Sequence, residues 1–243
     1  MGRHRFTLRD SLIFTARMRI HRFIGNFDLG NRYLKIFDLE ILNQVKNVLR
    51  LKTGDFINLV GGNKNEARVR INKFNKEFIE VEVIEDVRHE TQLTRDIHLY
   101  ASILKKENFE LIVQKATEVG VSHIYPVISQ RTVKLKLNDV RLNKIAKEAA
   151  EQCGRGAVPK VHAPLSLEEA MSSVPSRTNL FFDPSGKLLD VKSLKDVRQV
   201  SVFIGPEGGF EKSEIAEAIK RGFLTISLGG LIFRAETAAI ISS

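Results

Sequence analysis

The sequence predicts two folded parts in series: a small, mostly β domain, then an α/β domain built on a parallel sheet. Three observations carry that prediction. Short, often alternating apolar segments fill residues 19–87, separated by glycine- and asparagine-bearing breakers. After Asp96 the pattern becomes apolar run, helical period, apolar run, and it repeats towards the carboxyl end. Two of the later runs lead straight into glycine clusters, GPEGGF at 205–210 and LGG at 228–230.

Residues 1–17 carry Arg3, Arg5, Arg9 and Arg17 against Asp10, a net +3, and lack the long apolar core of a secretory signal. They read as a leader or disordered extension, with Met18 as the natural start. The first domain is expected over 18–90. Strands are predicted at 56–60, 67–72 and 77–84, the last through Phe78, Ile79, Val81, Val83 and Ile84. Breakers at 53–55 and 61–63 separate them, the second suited to a hairpin. One helix over 38–49 interrupts the strands, because Leu39, Ile41, Leu42, Val45, Val48 and Leu49 recur near a helical period. Residues 85–95 are polar and charged, which places the boundary there and the second domain at 95–243.

In that domain a strand is expected at 97–103, a helix at 109–119, a strand at 123–128 and a long helix at 139–152. Apolar runs at 180–182, 200–204 and 224–228 alternate with helical segments, one opened by a capping box at Ser166 and Glu169. The helix after GPEGGF, 212–221, sets Ile215, Ala218 and Ile219 on one face and stops at Gly222. In a parallel sheet ligands bind beyond the carboxyl ends of the strands, where both glycine turns fall. Gly205, Gly208 and Gly209 allow positive φ and close approach of the backbone to an anionic or nucleoside-bearing ligand. Neither turn has the spaced glycines of a dinucleotide fingerprint or the Gly-Lys-Ser/Thr of a phosphate-binding loop, which disfavours nicotinamide and nucleoside triphosphate chemistry.

At 243 residues and 43% hydrophobic composition the chain has enough apolar mass for two cores. It has no apolar run of about eighteen residues, so no membrane span is predicted. The single cysteine, Cys153, suits a reducing cytoplasm. A net charge of +9 has the sign expected for a nucleic-acid partner. Outside the leader the densest basic stretch is 131–160, where Arg131, Lys134, Lys136, Arg141, Lys144, Lys147, Arg155 and Lys160 face Asp139, Glu148 and Glu151. A solvated helix face and an RNA contact both fit that stretch. The six histidines show no metal-ligand spacing, and no metal is expected.

GPEGGF, LGGLIFRAETA from 228, KATEVGV at 115–121 and EQCGR at 151–155 together resemble the RsmE-like family of 16S ribosomal RNA uridine N3-methyltransferases. HRFIGNF at 21–27 and NVLRLKTGD at 47–55 resemble that family's amino-terminal segment. The resemblance covers nearly all of the chain after Met18. It implies a PUA-like β-barrel for RNA, then a SPOUT-type methyltransferase domain whose parallel sheet is threaded as a trefoil knot, which the general rule against knots would never suggest. It also implies S-adenosylmethionine as methyl donor, 16S rRNA in the small ribosomal subunit as substrate, and a homodimer. The chain departs from the family at Gln130-Arg131-Thr132, where Glu-Arg-Ser or Glu-Arg-Cys is usual, and at Leu231, where arginine is usual. It ends at Ser243, where relatives continue the final helix, and that bears on dimer packing.

The resemblance assigns the cofactor to Gly205, Pro206, Glu207, Gly208, Gly209, Leu228, Gly229, Ala235, Glu236 and Thr237. Glu236 either caps the following helix or orients the donor's amino group; Thr237 is a second cap candidate, and Glu207 holds the loop. Arg234 is the leading catalytic candidate, since a guanidinium near O2 or O4 stabilises negative charge developing as N3 of uridine loses its proton. No general base is evident. Cys153 is disfavoured as a nucleophile, because N3 needs no covalent activation. Arg22, Arg50, Lys52, Arg131 and Arg155 are the RNA-binding candidates, with Phe23 either stacking or packing. Two rival readings stand beside this one: a SPOUT enzyme acting on a tRNA ribose, and a non-catalytic RNA-binding assembly factor.

Overall fold

The computed structural model describes residues 20–61, 65–87, 95–133 and 136–243. The leader, Met18, the Gly62 and Asn63 hairpin positions, most of the polar boundary and Lys134 lie outside the described residues. The chain divides into two compact units between residues 89 and 90.

The first unit is one mixed sheet. Strands β1 (His21–Ile24), β2 (Tyr33–Ile36), β3 (Phe56–Val60), β4 (Glu66–Phe74) and β5 (Ile79–Val87) are ordered β1-β3-β4-β5-β2, with β1 parallel to β3 and the other pairs antiparallel. Alternation sends Ile57, Leu59, Val69, Ile71, Ile79 and Val81 into a core with Phe23 and Ile36. No ladder between β1 and β2 is found among the described residues, so the barrel-like sheet keeps two edge strands. Both edges were missed in the sequence, since four residues are too few to show a period.

The helix predicted over 38–49 changes its hydrogen-bond period part-way. Asp38 caps α1 (Leu39–Asn43), its Oδ1 accepting from the Glu40 and Ile41 amides at 2.9 and 3.1 Å. The chain then winds into a π-helical turn over Gln44–Val48 that keeps Val45 buried, and Arg50 turns it back with φ of 53°.

The second unit is a parallel sheet. Its strands are β6 (Asp96–Ser102), β7 (His123–Ile128), the short β8 (Lys160–Val161) and β9 (Leu165–Ser166), β10 (Thr178–Leu188), β11 (Gln199–Ile204) and β12 (Leu224–Ser227). The order is β12-β10-β11-β6-β7-β8, and β9 also pairs with β7, so β8 and β9 form one edge strand broken at 162–164. Helices α2 (Lys106–Val119), α3 (Asp139–Cys153), α4 (Leu167–Ser172), α5 (Lys212–Lys220) and α6 (Ala235–Ile241) complete the unit. Leu99, Ala101, Ile124, Val202 and Ile204 share one core with Phe109, Ile112, Leu142, Ala146 and Ala239 of α2, α3 and α6. Tyr100, Val127, Phe181 and Phe203 point the other way, to a core with Ala170 of α4 and Ala218 of α5. No helix among the described residues is long and apolar enough to cross a membrane.

Two expectations are corrected here. Ile219 is 56% exposed, because α5 turns Glu214, Ile215 and Ala218 inward instead. The strand expected at 180–182 runs on to Leu188 through polar residues that carry no apolar signal, and its register against β12 shifts between Phe182 and Lys187. Gly186 sits in this shifted segment, and a Cβ there would lie 2.6 Å from the backbone nitrogen of Ile226. Gly186→Ala is therefore expected to lower the unfolding free energy by about 1–3 kcal/mol in urea denaturation, since backbone rather than a flexible side chain must yield.

Candidate functional site

The two glycine turns leave the carboxyl ends of β11 and β12, which flank β10 in the sheet. After Ile204 the chain makes a tight turn in which the Gly209 amide donates to the Pro206 carbonyl at 2.8 Å. Gly209 holds φ of 69°, a left-handed value that favours glycine. Gly205 and Gly208 do not take positive φ, contrary to expectation. Their role is space: a Cβ on Gly205 would lie 3.1 Å from the Phe210 ring, which buries against Phe181, and one on Gly208 would lie 3.3 Å from Cδ of Arg131. Glu207 and Gly208 form the exposed tip, while Gly205 and Pro206 are buried.

This turn is tied to the loop after β7. Arg131 donates through Nε to Oε1 of Glu211 at 2.6 Å and through Nη1 to the Gly208 carbonyl at 2.5 Å. Glu214, nearly buried, accepts from the Gln130 amide at 2.8 Å and the Glu211 amide at 2.7 Å. The Arg131 hydrogen bond holds the Glu211 carboxyl below its ordinary pKa. Arg131 was expected to contact RNA; its guanidinium is instead engaged in shaping the turn. Gln130 was noted only as a departure from the family pattern, and Glu211 and Glu214 were not singled out in the sequence. The signal was there as a capping box with Glu211 in the place of the usual serine or threonine and Glu214 three residues on.

The second turn is fixed by Ser227, whose Oγ accepts from the Gly229 amide at 3.2 Å, and by Gly229 with φ of 110°. Leu228 packs on the α2/α3/α6 core. The chain then exposes Leu231 and Ile232 before α6. Arg234 occupies the N-cap position without capping through its side chain, and neither Glu236 nor Thr237 caps the helix. Ala235 and Glu236 are buried in the first turn, with Thr237 half-buried. Glu236 is 8% exposed as a residue, and no hydrogen bond or ion pair of its carboxylate with a described residue is found, but its oxygens are not among the buried atoms left without a partner, so the carboxylate still reaches solvent.

The other basic candidates divide. Arg155 is corrected to a structural role: its Nη1 donates to the carbonyls of Thr117 and Val121 at 2.8 and 2.7 Å, closing the end of α2, and burial lowers its pKa. Arg22 donates through Nε and Nη2 to Oε2 of Glu66 at 2.9 and 2.6 Å within a nearly buried pair, so it too is spent on the fold. Phe23 is core, not a stacking surface. Arg50 and Lys52 remain exposed.

Residues 91–243 match the family described as RNA methyltransferase domain. The chain belongs to the RNA methyltransferase family. Residues 45–84 match that family's PUA domain, which covers the π-helical turn and β3 to β5 of the small sheet. The chain is 30% identical over 204 residues to ribosomal RNA small subunit methyltransferase E of Mesomycoplasma hyopneumoniae, covering 82% of this chain and 87% of the relative. A solved structure of ribosomal RNA small subunit methyltransferase E from Neisseria gonorrhoeae, bound to S-adenosylmethionine, superposes with a TM-score of 0.81 at 27% identity, covering 92% of this chain and 95% of that one. A Legionella pneumophila protein solved with the same cofactor gives a TM-score of 0.84 at 29% identity, over 93% and 96% of the two chains. Within the RNA methyltransferase family the chain is thus RsmE-like in sequence and in fold.

Glu214→Ala strips two backbone amides of their acceptor and is expected to destabilise the chain by about 1–3 kcal/mol. Glu214→Gln, which keeps one carbonyl acceptor, loses less; chemical denaturation of both variants checks the order.

Proposed function

We propose that the chain transfers a methyl group from S-adenosylmethionine to N3 of one uridine in 16S rRNA of the small ribosomal subunit. The observation that carries the reading is the membership of residues 91–243 in the RNA methyltransferase family, together with two glycine turns at the carboxyl ends of β11 and β12 and the carboxylate of Glu236, open to solvent and without a described partner, at the start of α6. When bound, S-adenosylmethionine supplies a methyl group activated by its sulfonium charge. Its amino and ribose hydroxyl donors suit the Glu236 carboxylate, which has no described partner, and Glu207 and Gly208 expose the backbone at the tip of the first turn, so the residues present fit the cofactor.

In this reading Gly205, Pro206, Glu207, Gly208 and Gly209 line one side of the cofactor, with Leu228, Gly229, Ala235, Glu236 and Thr237 on the other. Glu236 accepts hydrogen bonds from the cofactor and so fixes its orientation. The reaction is an in-line displacement that needs alignment more than acid-base chemistry. Arg234 is exposed at the mouth of the second turn, and its fixed charge stabilises the uridine as N3 loses its proton. The reacting base must leave its stack to be reached. In the small domain, proposed over 18–90, Arg50 and Lys52 contact phosphate, a sequence-blind interaction. The methyltransferase domain is proposed over 95–243, acting in the cytoplasm as a homodimer. The exposed pair Leu231 and Ile232 supports a second copy there.

The test incubates the protein with radiolabelled S-adenosylmethionine and unmethylated small subunits, with tRNA in parallel, and identifies the modified nucleoside by mass spectrometry. N3-methyluridine in 16S rRNA is the expected product. Label only in tRNA establishes the tRNA reading, and no label on either RNA leaves a non-catalytic RNA binder. Gly208→Val is expected to abolish cofactor binding, because its side chain crowds the turn and displaces Arg131. Arg234→Ala is expected to lower kcat by about 10²-fold, with the cofactor Kd nearly unchanged. Full activity of the arginine variant removes Arg234 from the mechanism.

A further inference from the structure

Three of the six histidines, scattered in sequence, converge at the amino-terminal ends of the large sheet's strands. His98 lies on β6, His123 opens β7, and His162 sits where the edge strand breaks between β8 and β9. Asp96 opens β6 beside them. Ligand atoms of Asp96, His98 and His123 all lie within 4.8 Å of one another. Oδ2 of Asp96 is 3.0 Å from Nε2 of His98, close to the roughly 3.3 Å edge between two ligands of a tetrahedral zinc ion with bonds of about 2.0 Å.

From this cluster we propose that Asp96, His98 and His123 form a binding site for one divalent transition-metal ion of the zinc class, structural rather than catalytic.

The surroundings are those of such a site. Nδ1 of His123 shares a proton with Nε2 of His162 at 3.0 Å, and Nδ1 of His98 faces the Tyr125 hydroxyl at 3.4 Å. Each ring thereby has its far nitrogen engaged, as metal-binding imidazoles do, and Nε2 of His98, now facing Oδ2 of Asp96 at 3.0 Å and Gln199 at 3.3 Å, gives up the Asp96 contact to the ion on binding. Gln199 donates to Oδ2 of Asp96 at 2.9 Å, and that carboxylate reaches solvent, which gives the ion an entry path.

His98 and His123 now stack nearly parallel, 4.4 Å between centroids. A metal lies in the plane of each imidazole it binds, so ligation tilts the two rings apart. The glycine turns follow β11 and β12 at the opposite rim of the same parallel sheet, so the ion takes no part in methyl transfer and clamps the starts of β6 and β7 together.

The experiment uses tag-free full-length protein, stripped with a chelator and titrated with Zn²⁺ by calorimetry and with Co²⁺ by visible absorption. One equivalent per chain, a tetrahedral cobalt spectrum and a raised Tm are expected. His98→Gln and, should that variant fold poorly, His123→Gln each abolish the equivalent. His162→Gln keeps the stoichiometry and weakens affinity about 10–100-fold. Wild-type protein that binds neither ion saturably overturns the site, as does a variant lacking His98 or His123 that still takes up one equivalent. A methyl-transfer rate that depends on the added ion overturns the structural role.

Discussion

The whole of the larger unit follows from one constraint: its strands all run in the same direction. A parallel sheet needs crossovers, the crossovers carry helices, and helices on both sides force both faces of the sheet to be apolar. That is why Leu99 and Tyr100, adjacent on β6, serve two separate cores. The same constraint sorts the chemistry by end. Every strand finishes at one rim, where the chain must turn into the next element, and every strand begins at the other. The rim of endings gathers the two glycine turns, Arg234 and Glu236; the rim of beginnings gathers Asp96, His98 and His123.

Between the rims one face carries an uninterrupted row of rings. Phe203, Tyr100, Tyr125 and His162 stack in order across four neighbouring chain segments, with centroids 4.3, 4.3 and 3.9 Å apart. Flat side chains at matching registers on parallel strands interlock this way, since adjacent strands present them at the same height. The row lends stiffness to the sheet that positions both ends, and it uses two of the chain's three tyrosines.

How much of this was legible in the sequence depends on how local each signal was. The strands at 123–128 and 224–228, the long helix from Asp139 and the capping box at Ser166 were readable because period, cap and breaker sit within one segment. The edge strands β1 and β2 and the polar half of β10 were not, because they are held by ladders to distant residues and carry no period of their own. The glycine turns were found, but the reasons for Gly205 and Gly208 were wrong: what matters is the Phe210 ring and the Arg131 side chain, neither of which sequence places nearby. Arg22, Arg131 and Arg155 were picked as basic residues on or beside segments that resemble the family, and neither charge nor resemblance can say that Glu66, Glu211 and two carbonyls at the end of α2 already engage them. The histidine cluster was missed for the same reason, since its members are 25 and 39 positions apart and only the strand order unites them.

The tie between the loop after β7 and the first glycine turn spans 77 positions at Arg131 and 84 at Gln130. The first turn is therefore not shaped by its own sequence alone. Its backbone is held by side chains and amides that arrive from the far side of the sheet's sequence, so whatever loosens β7 or the loop after it also loosens the turn. Shape at the rim of endings is a property of the assembled sheet rather than of the glycine cluster itself.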